Sequence, residues 1–194
     1  MTENNVTNIL MVGVGGQGTL LASEILSEVL MQVGYDVKKA EVHGMAQRGG
    51  SVISHVRFGK KVFSPIIPEG EADVLFGFEL LETYRYLPLV KKSGTVVVNS
   101  LRIAPPSVAL GVNQYPVDIE RKLLAHAENV RVVDGLQLAE QAGNARTVNT
   151  VLLGALANTL APTQEQWVAA IKRLVPERFQ EVNLRAFELG RQIR

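Results

Sequence analysis

The sequence contains no cysteine among its 194 residues. This absence excludes disulfide bonds, thiolate zinc sites, a cysteine nucleophile and cysteine-ligated iron–sulfur clusters from the chain itself. If the protein takes part in one-electron chemistry, another chain must therefore carry the electrons.

The chain also lacks a strong charge of either sign and a long apolar run. Its formal net charge is +1, which argues against nucleic acid as a partner but leaves a local basic patch open. No stretch reaches the roughly 18 uninterrupted apolar residues of a membrane span. The start of the chain has no basic segment typical of a signal peptide. We therefore expect a cytoplasmic protein that binds neither nucleic acid nor membranes.

The composition is that of an ordinary α/β protein, with 46% hydrophobic and 20% charged residues. The length suits one domain over residues 1–194. Residues 8–14 predict a buried strand, residues 19–33 an amphipathic helix and residues 35–42 a second strand, which together make a βαβ unit. The exposed half of the helix is expected to carry Ser23, Glu24, Ser27 and Glu28.

The whole sequence predicts a Rossmann-like α/β domain with a mostly parallel sheet, helices on both faces, a β-hairpin insertion and a helical C-terminal part. The hairpin is expected to pair residues 51–58 with Val62 and Phe63. A turn is expected at residues 91–94. Further strands are predicted at 72–78, 95–99 and 130–133. Further helices are predicted at 80–87, 134–142, 147–160, 163–174 and 176–193.

A first glycine loop lies between the first strand and the first helix and fits the pattern G-x-G-x-x-G. Its candidate phosphate- or ligand-binding residues are Gly13, Gly15, Gly16, Gln17 and Gly18. Glycines in this position let the backbone approach a phosphate, which the helix N-terminus attracts. A dinucleotide site also needs an acidic residue after the second strand, and Glu41 lies roughly there. The alternative is that the glycines only allow close packing of strand and helix.

A second glycine-rich loop, residues 43–51, follows the second predicted strand. Its candidate residues for a ligand or a subunit contact are His43, Gln47, Arg48, Gly49, Gly50 and Ser51. The backbone N–H groups near the paired glycines can hold an anion, with the arginine beside them as a clamp for phosphate or carboxylate. Arginine is also a favoured interface residue. We expect both loops at the carboxyl ends of adjacent strands, where ligands of open α/β sheets bind.

The remaining polar residues predict neither a metal site nor a hydrolase. His43 and His55 match no zinc spacing, and the nucleophile motif G-x-S-x-G is absent. Asn149 is a polar residue among apolar neighbours and is expected to cap a loop or to line a cleft. The last helix carries an apolar stripe, expected to pack on the sheet, that consists of Phe179, Val182, Ala186 and Leu189.

Four segments resemble the gamma-type subunit of 2-oxoacid:ferredoxin oxidoreductases. They are GVGGQGTLLASEIL (residues 13–26), EVHGMAQRGGSVISHVRFG (41–59), SPIIPEGEADVLFGFELLETYRYLP (64–88) and GNARTVNTVLLGALA (143–157). The combination of HGMAQRGGSV with SHVR is the most specific. It resembles the small subunit of indolepyruvate ferredoxin oxidoreductase more than the pyruvate or 2-oxoglutarate relatives.

The resemblance implies a heteromeric enzyme that oxidatively decarboxylates arylpyruvates with coenzyme A, giving aryl-acetyl-CoA, carbon dioxide and reduced ferredoxin. It implies that thiamine diphosphate, magnesium and the iron–sulfur clusters lie on the large (alpha) subunit. This chain would then hold no cofactor and no catalytic residue, and it would be inactive alone. Its partners would be the large subunit and, through the complex, ferredoxin.

Other interpretations stay open at this point. One is a free-standing NAD(P)- or flavin-dependent oxidoreductase built on the first glycine loop. Another is a scaffold in which both loops only pack, and a third is a gamma subunit that serves another 2-oxoacid. A homodimer of the isolated chain is also an option.

Overall fold

Six strands form one sheet in the computed structural model, which describes residues 6–43 and 50–193. The strands are β1 (Val6–Val14), β2 (Asp36–His43), β3 (Ser51–Gly59), β4 (Ala72–Gly77), β5 (Val90–Asn99) and β6 (Asn129–Val133). Their spatial order is β2-β3-β1-β4-β5-β6. Only β3 runs antiparallel to its two neighbours, and the pairs from β1 to β6 are parallel. The predicted mostly parallel α/β sheet is confirmed.

Helices cover both faces of this sheet. They are α1 (Thr19–Gln32), α2 (Leu80–Tyr86), α3 (Pro106–Ala109), α4 (Ile119–His126), α5 (Gly135–Ala142), α6 (Val148–Ala157), α7 (Gln164–Leu174) and α8 (Glu177–Arg191), with 3₁₀ turns at Leu87–Leu89 and Ala145–Thr147. Alternate residues of β1 serve the two cores, as the pleat of a strand requires. Ile9 and Met11 pack with α1 and α5–α8, whereas Leu10 and Val12 pack with α2 and α4.

The predicted hairpin between residues 51–58 and residues 62–63 is wrong. β3 pairs with β1 and β2 instead. After Gly59 the chain bends into a loop, because the Arg57 guanidinium donates to the carbonyl oxygens of Ser64 and Ile66 at 2.9 and 3.0 Å. The Val62 N–H donates to Asp36 Oδ2 at 2.9 Å. These side-chain bonds satisfy backbone groups that a strand would otherwise pair.

The predicted turn at residues 91–94 is also wrong, because β5 already begins at Val90. The pairing of β5 with β4 is irregular between Ala72 and Val74. In this stretch the Lys91 ammonium lies 2.7 Å from Asp73 Oδ1. That ion pair keeps a polar residue on a strand next to the core.

The polar half of α1 is partly buried, contrary to the prediction. Ser23 and Ser27 are buried because α1 contacts both the sheet and α7. Ser27 Oγ donates to the Ser23 carbonyl at 2.7 Å, and Ser23 Oγ lies 2.8 Å from the Leu20 carbonyl. A hydroxyl group that donates to a carbonyl of the preceding helical turn stays hydrogen-bonded when it is buried. Serine is therefore tolerated at both positions.

The C-terminal helix α8 packs mainly on α6 and α5, whereas the sequence led us to expect packing on the sheet. α8 crosses α6 where Gly154 faces Gly190. A Cβ on Gly154 would lie 2.1 Å from the Phe187 carbonyl oxygen, and one on Gly190 would lie 1.9 Å from the Val151 carbonyl oxygen. The two backbones therefore touch. All residues of α6 from Asn149 to Ala157 are buried, so α8 completes the core.

Gly154→Ala tests this crossing. Alanine favours an isolated helix by about 1 kcal/mol over glycine. We nevertheless expect the free energy of unfolding to fall by about 1–3 kcal/mol, because the added methyl group forces the two helices apart. Thermal or urea unfolding measures the change. Ala169→Gly on the exposed face of α7 calibrates the helix-propensity effect alone; a Gly154→Ala variant more stable than the parent contradicts the tight crossing.

Candidate functional site at the carboxyl edge of the sheet

The strand connections reverse direction between β1 and β4. α1 leads from β1 toward the β2 side of the sheet, whereas α2 leads from β4 toward β5. In open α/β sheets, the crevice outside the carboxyl ends of such a strand pair is the usual ligand position. The first glycine loop follows β1 at this point, and Phe78 and Glu79 follow β4. We call these two residues the junction.

The side chain of Gln17 fills the inside of the first glycine loop. Its Oε1 accepts the Val14 N–H at 2.7 Å, and its Nε2 donates to the Phe78 carbonyl at 2.9 Å. The carboxamide therefore links the ends of β1 and β4. A Cβ on Gly13 would lie 2.8 Å from Gln17 Oε1 and 2.9 Å from Phe78 Cβ, so this glycine is needed for packing.

The other loop glycines have different roles. Gly16 is exposed with φ +102°, and a Cβ there would meet nothing within 4 Å. Gly18 has φ +76° and precedes α1, which begins without a side-chain cap. The Asn149 Nδ2 lies 3.4 Å from the Gly18 carbonyl oxygen. Asn149 thus caps the loop, one of the two roles expected of it.

The second glycine loop meets the first one at its end. The Gly15 N–H donates to the Gly50 carbonyl at 2.9 Å. Ser51 begins β3 opposite Val14, and its buried Oγ finds no hydrogen-bond partner within the described ranges. The backbone of His43 ends β2, whereas Gln47, Arg48 and Gly49 lie outside the described residues.

The sequence led us to expect that the two loops follow adjacent strands, and this expectation is wrong. β3 lies between β1 and β2, so two inter-strand spacings of about 4.8 Å separate β1 from β2. Glu41, the candidate ribose ligand, lies 3.1 Å from the Lys39 ammonium and 3.0 Å from Ser23 Oγ on α1. This carboxylate is paired on the α1 side of the sheet, which departs from the arrangement of a dinucleotide site.

The junction ties together the connections that follow β1, β4 and β5. The Phe78 carbonyl accepts Gln17 Nε2 and also Asn99 Nδ2 at 3.2 Å. Asn99 Oδ1 in turn accepts the Gly135 N–H at the start of α5, at 3.1 Å. One backbone carbonyl thereby connects the glycine loop, the end of β5 and the beginning of α5.

Glu79 fastens the long connection between β5 and α4. We call residues 101–117 of this connection the strap. The Glu79 carboxylate is 1% exposed and accepts the Ile103 N–H at 3.0 Å and the Tyr115 hydroxyl at 2.7 Å. Its other oxygen accepts the Glu82 N–H at 2.8 Å and so caps α2. Burial raises the pKa of Tyr115, and the hydrogen bond to Glu79 adds to this effect, so the phenol stays a donor.

A cleft of about 260 Å³ lies between the strap and α2. Its walls are mainly apolar and include Val14, Leu81, Ile103, Pro105 and Ala109. Glu82 borders the same cleft; its Oε1 lies 3.4 Å from Arg85 Nη2, and its Oε2 is buried without a hydrogen-bond partner among the described residues. The cleft suits an apolar group better than an anion.

Sequence reasoning missed Glu79, Asn99 and Tyr115. Glu79 gave a usable signal, because an acidic residue directly between an apolar strand and a helix is a typical N-cap. Asn99 and Tyr115 gave none, since their partners lie 21 and 36 residues away in sequence. Their roles depend on how the sheet brings these segments together.

His55 holds the loop after β3. Its Nδ1 accepts the Ile67 N–H at 3.2 Å. Burial lowers the pKa of His55, and the nearby Arg57 lowers it further, so the neutral ring is favoured as acceptor. Within residues 6–43 and 50–193 no three His, Asp or Glu side chains come together as a metal site would require. Over the same residues no helix has the length and apolarity to cross a membrane.

Solved structures that share this fold include subunits and parts of ferredoxin oxidoreductases. The gamma subunit of a keto/oxoacid ferredoxin oxidoreductase from Geobacter sulfurreducens has a TM-score of 0.69 at 24% identity, and the match covers 96% of each chain. A 2-oxoglutarate:ferredoxin oxidoreductase chain from Magnetococcus marinus has a TM-score of 0.75 at 18% identity over 98% of this chain and 31% of its own. The fold is therefore that of the gamma subunits of oxoacid ferredoxin oxidoreductases.

The sequence comparisons show the family. Residues 8–193 match the family described as pyruvate ferredoxin/flavodoxin oxidoreductase. The indolepyruvate oxidoreductase subunit IorB of Thermococcus kodakarensis is 43% identical over 188 residues, or 94% of this chain and 93% of that protein. The subunit IorB of Pyrococcus horikoshii gives the same identity and coverage. The chain belongs to the pyruvate ferredoxin/flavodoxin oxidoreductase family, and the resemblance seen in the sequence is confirmed.

Gln17→Ala tests the role of the carboxamide inside the loop. The substitution removes the partner of the buried Val14 N–H, and we expect a loss of about 1–3 kcal/mol in the free energy of unfolding. Urea unfolding measures it. Gln32→Ala is the matched control, because the Gln32 side chain is exposed and donates to Glu28 on the same helix. Equal losses in both variants contradict the structural role of Gln17.

Proposed function

We propose that this chain is the small, cofactor-free subunit of a heteromeric indolepyruvate ferredoxin oxidoreductase. The observation that carries the proposal is the 43% identity to indolepyruvate oxidoreductase subunits IorB over 94% of this chain and 93% of the relatives. In the proposed reaction, an arylpyruvate and coenzyme A give aryl-acetyl-CoA and carbon dioxide. The two electrons released pass to ferredoxin.

The chemistry belongs to the large subunit in this proposal. Thiamine diphosphate, magnesium and the iron–sulfur clusters would be bound there, and the lack of cysteine in this chain is consistent with that division. The first glycine loop is closed internally by Gln17, which supports a structural role more than a nucleotide site. The chain then serves to complete or cover the active site of its partner.

The carboxyl edge of the sheet is the side proposed to face the large subunit. Both glycine loops meet there through the Gly15–Gly50 hydrogen bond. Arg48 lies in the second loop, two residues before Gly50 in the sequence. We propose that it faces the partner's active site and receives coenzyme A or the substrate carboxylate, because a guanidinium binds such anions with two parallel hydrogen bonds.

Reconstitution tests the proposal directly. This chain and the large subunit encoded with it are assayed singly and mixed, with indolepyruvate, coenzyme A and a low-potential electron acceptor. We expect reduction of the acceptor only in the mixture. A stable complex that acts on another 2-oxoacid would support the subunit role and show that the proposed substrate is wrong. An isolated chain that binds NAD(P) or flavin, with no activity in the mixture, would support the free-standing oxidoreductase instead.

The active mixture also tests the second loop. Arg48→Ala should lower kcat/KM at least about tenfold, the effect of losing roughly 1.4 kcal/mol of binding to an anion. Arg121→Ala is the control, because the Arg121 side chain is 82% exposed and lies on α4. If Arg48→Ala reduces activity no more than Arg121→Ala does, the assignment of Arg48 is wrong.

A further inference from the structure

The strap exposes an unusual amount of apolar surface. Leu110, Val112 and Val117 are 79%, 73% and 73% exposed, respectively. Three large aliphatic side chains are thus exposed within eight residues, and we call them the apolar patch; single exposed apolar residues, by contrast, are common on monomers. The patch adjoins the apolar cleft, since Ala109 borders the cleft and Leu110 follows it.

The strap is nevertheless held in a fixed position. Glu79 binds it at both ends, through the Ile103 N–H and the Tyr115 hydroxyl. Between these points the short helix α3 is closed by the Val112 and Asn113 N–H groups, which donate to the Ser107 carbonyl at 2.9 and 3.0 Å. A surface that is rigid before contact loses less conformational entropy when a partner binds. Docking on the apolar patch should therefore cost little conformational entropy.

The same fold also occurs as part of longer chains. The 2-oxoglutarate:ferredoxin oxidoreductase chain of Magnetococcus marinus contains this fold within 31% of its length. The pyruvate-flavodoxin oxidoreductase of Trichormus variabilis matches this chain over 14% of its length. In such chains the fold is covalently joined to a much larger body. In the proposed complex, the large subunit would take the place of that longer polypeptide.

We propose that the large subunit docks on the strap and inserts one large apolar side chain into the cleft between the strap and α2. The inference rests on the proposed function, because the partner is the large subunit. The cleft volume of about 260 Å³ has room for a side chain of the leucine or phenylalanine class. Leu110, which follows the cleft-lining Ala109, and Val112 supply exposed apolar side chains at the rim of this docking surface. Glu79 lines the cleft and holds the strap.

Titration of the fluorescently labelled full-length chain with the purified large subunit tests this proposal. Ala109→Phe fills the cleft from an exposed position, and Leu110→Ser removes an apolar rim residue. Each should raise Kd at least about tenfold, as the loss of an interface anchor does. Because both positions are exposed, the melting temperatures should stay at the parent value. Phe63→Ser is the control, since Phe63 is 86% exposed at the opposite edge of the sheet.

The other outcomes overturn the proposal in distinguishable ways. If the complex forms and both strap variants bind as the parent does, the docking site is wrong while the proposed function stands. If Phe63→Ser alone weakens binding, the partner docks at the amino edge. If Leu110→Ser instead dissociates a homodimer of this chain in sedimentation, the occupant is a second copy. If the parent chain forms no complex, the proposed function fails as well.

Discussion

The carboxyl edge of the sheet depends on the hydrogen bonds accepted at the junction of Phe78 and Glu79. The Phe78 carbonyl receives the Gln17 carboxamide from the first glycine loop and the Asn99 amide from the end of β5. The Glu79 carboxylate receives the strap and caps α2. Adjacent acceptors thus fix the loops that follow three neighbouring parallel strands. A buried carboxylate is costly unless fully hydrogen-bonded, so these loops and Glu79 require one another.

The part of the site that local sequence encodes could be predicted. The strand, glycine turn and helix at residues 8–32 follow from periodicity and from glycines at positive φ, and the structure has them there. The position of β3 could not be predicted. An alternating strand does not by itself specify its partners. β3 pairs with both β1 and β2, while Arg57 and Asp36 hold the residues after it in a loop. The strap escaped prediction because Glu79 and Tyr115 meet only in the folded chain.

The first glycine loop differs from a nucleotide-binding loop in what fills its interior. A glycine loop that binds a nucleotide leaves its interior to the ligand, whereas here a side chain of the same loop lies inside it. The strand, glycine loop and helix of a nucleotide-binding unit are thereby present, with the loop closed from inside by its own carboxamide. Apolar side chains of the strap lie at the same edge of the sheet as the first glycine loop, as our proposal that this edge covers a partner's active site requires.

Hydrogen–deuterium exchange of this chain, alone and with the large subunit, tests the central claim that the carboxyl edge is the docking side. We expect slower exchange of backbone amides in residues 13–18 and 101–117 when the large subunit is present, with no change in residues 60–68 at the opposite edge. Protection confined to residues 60–68, with both carboxyl-edge segments unchanged in a complex that has formed, would contradict it.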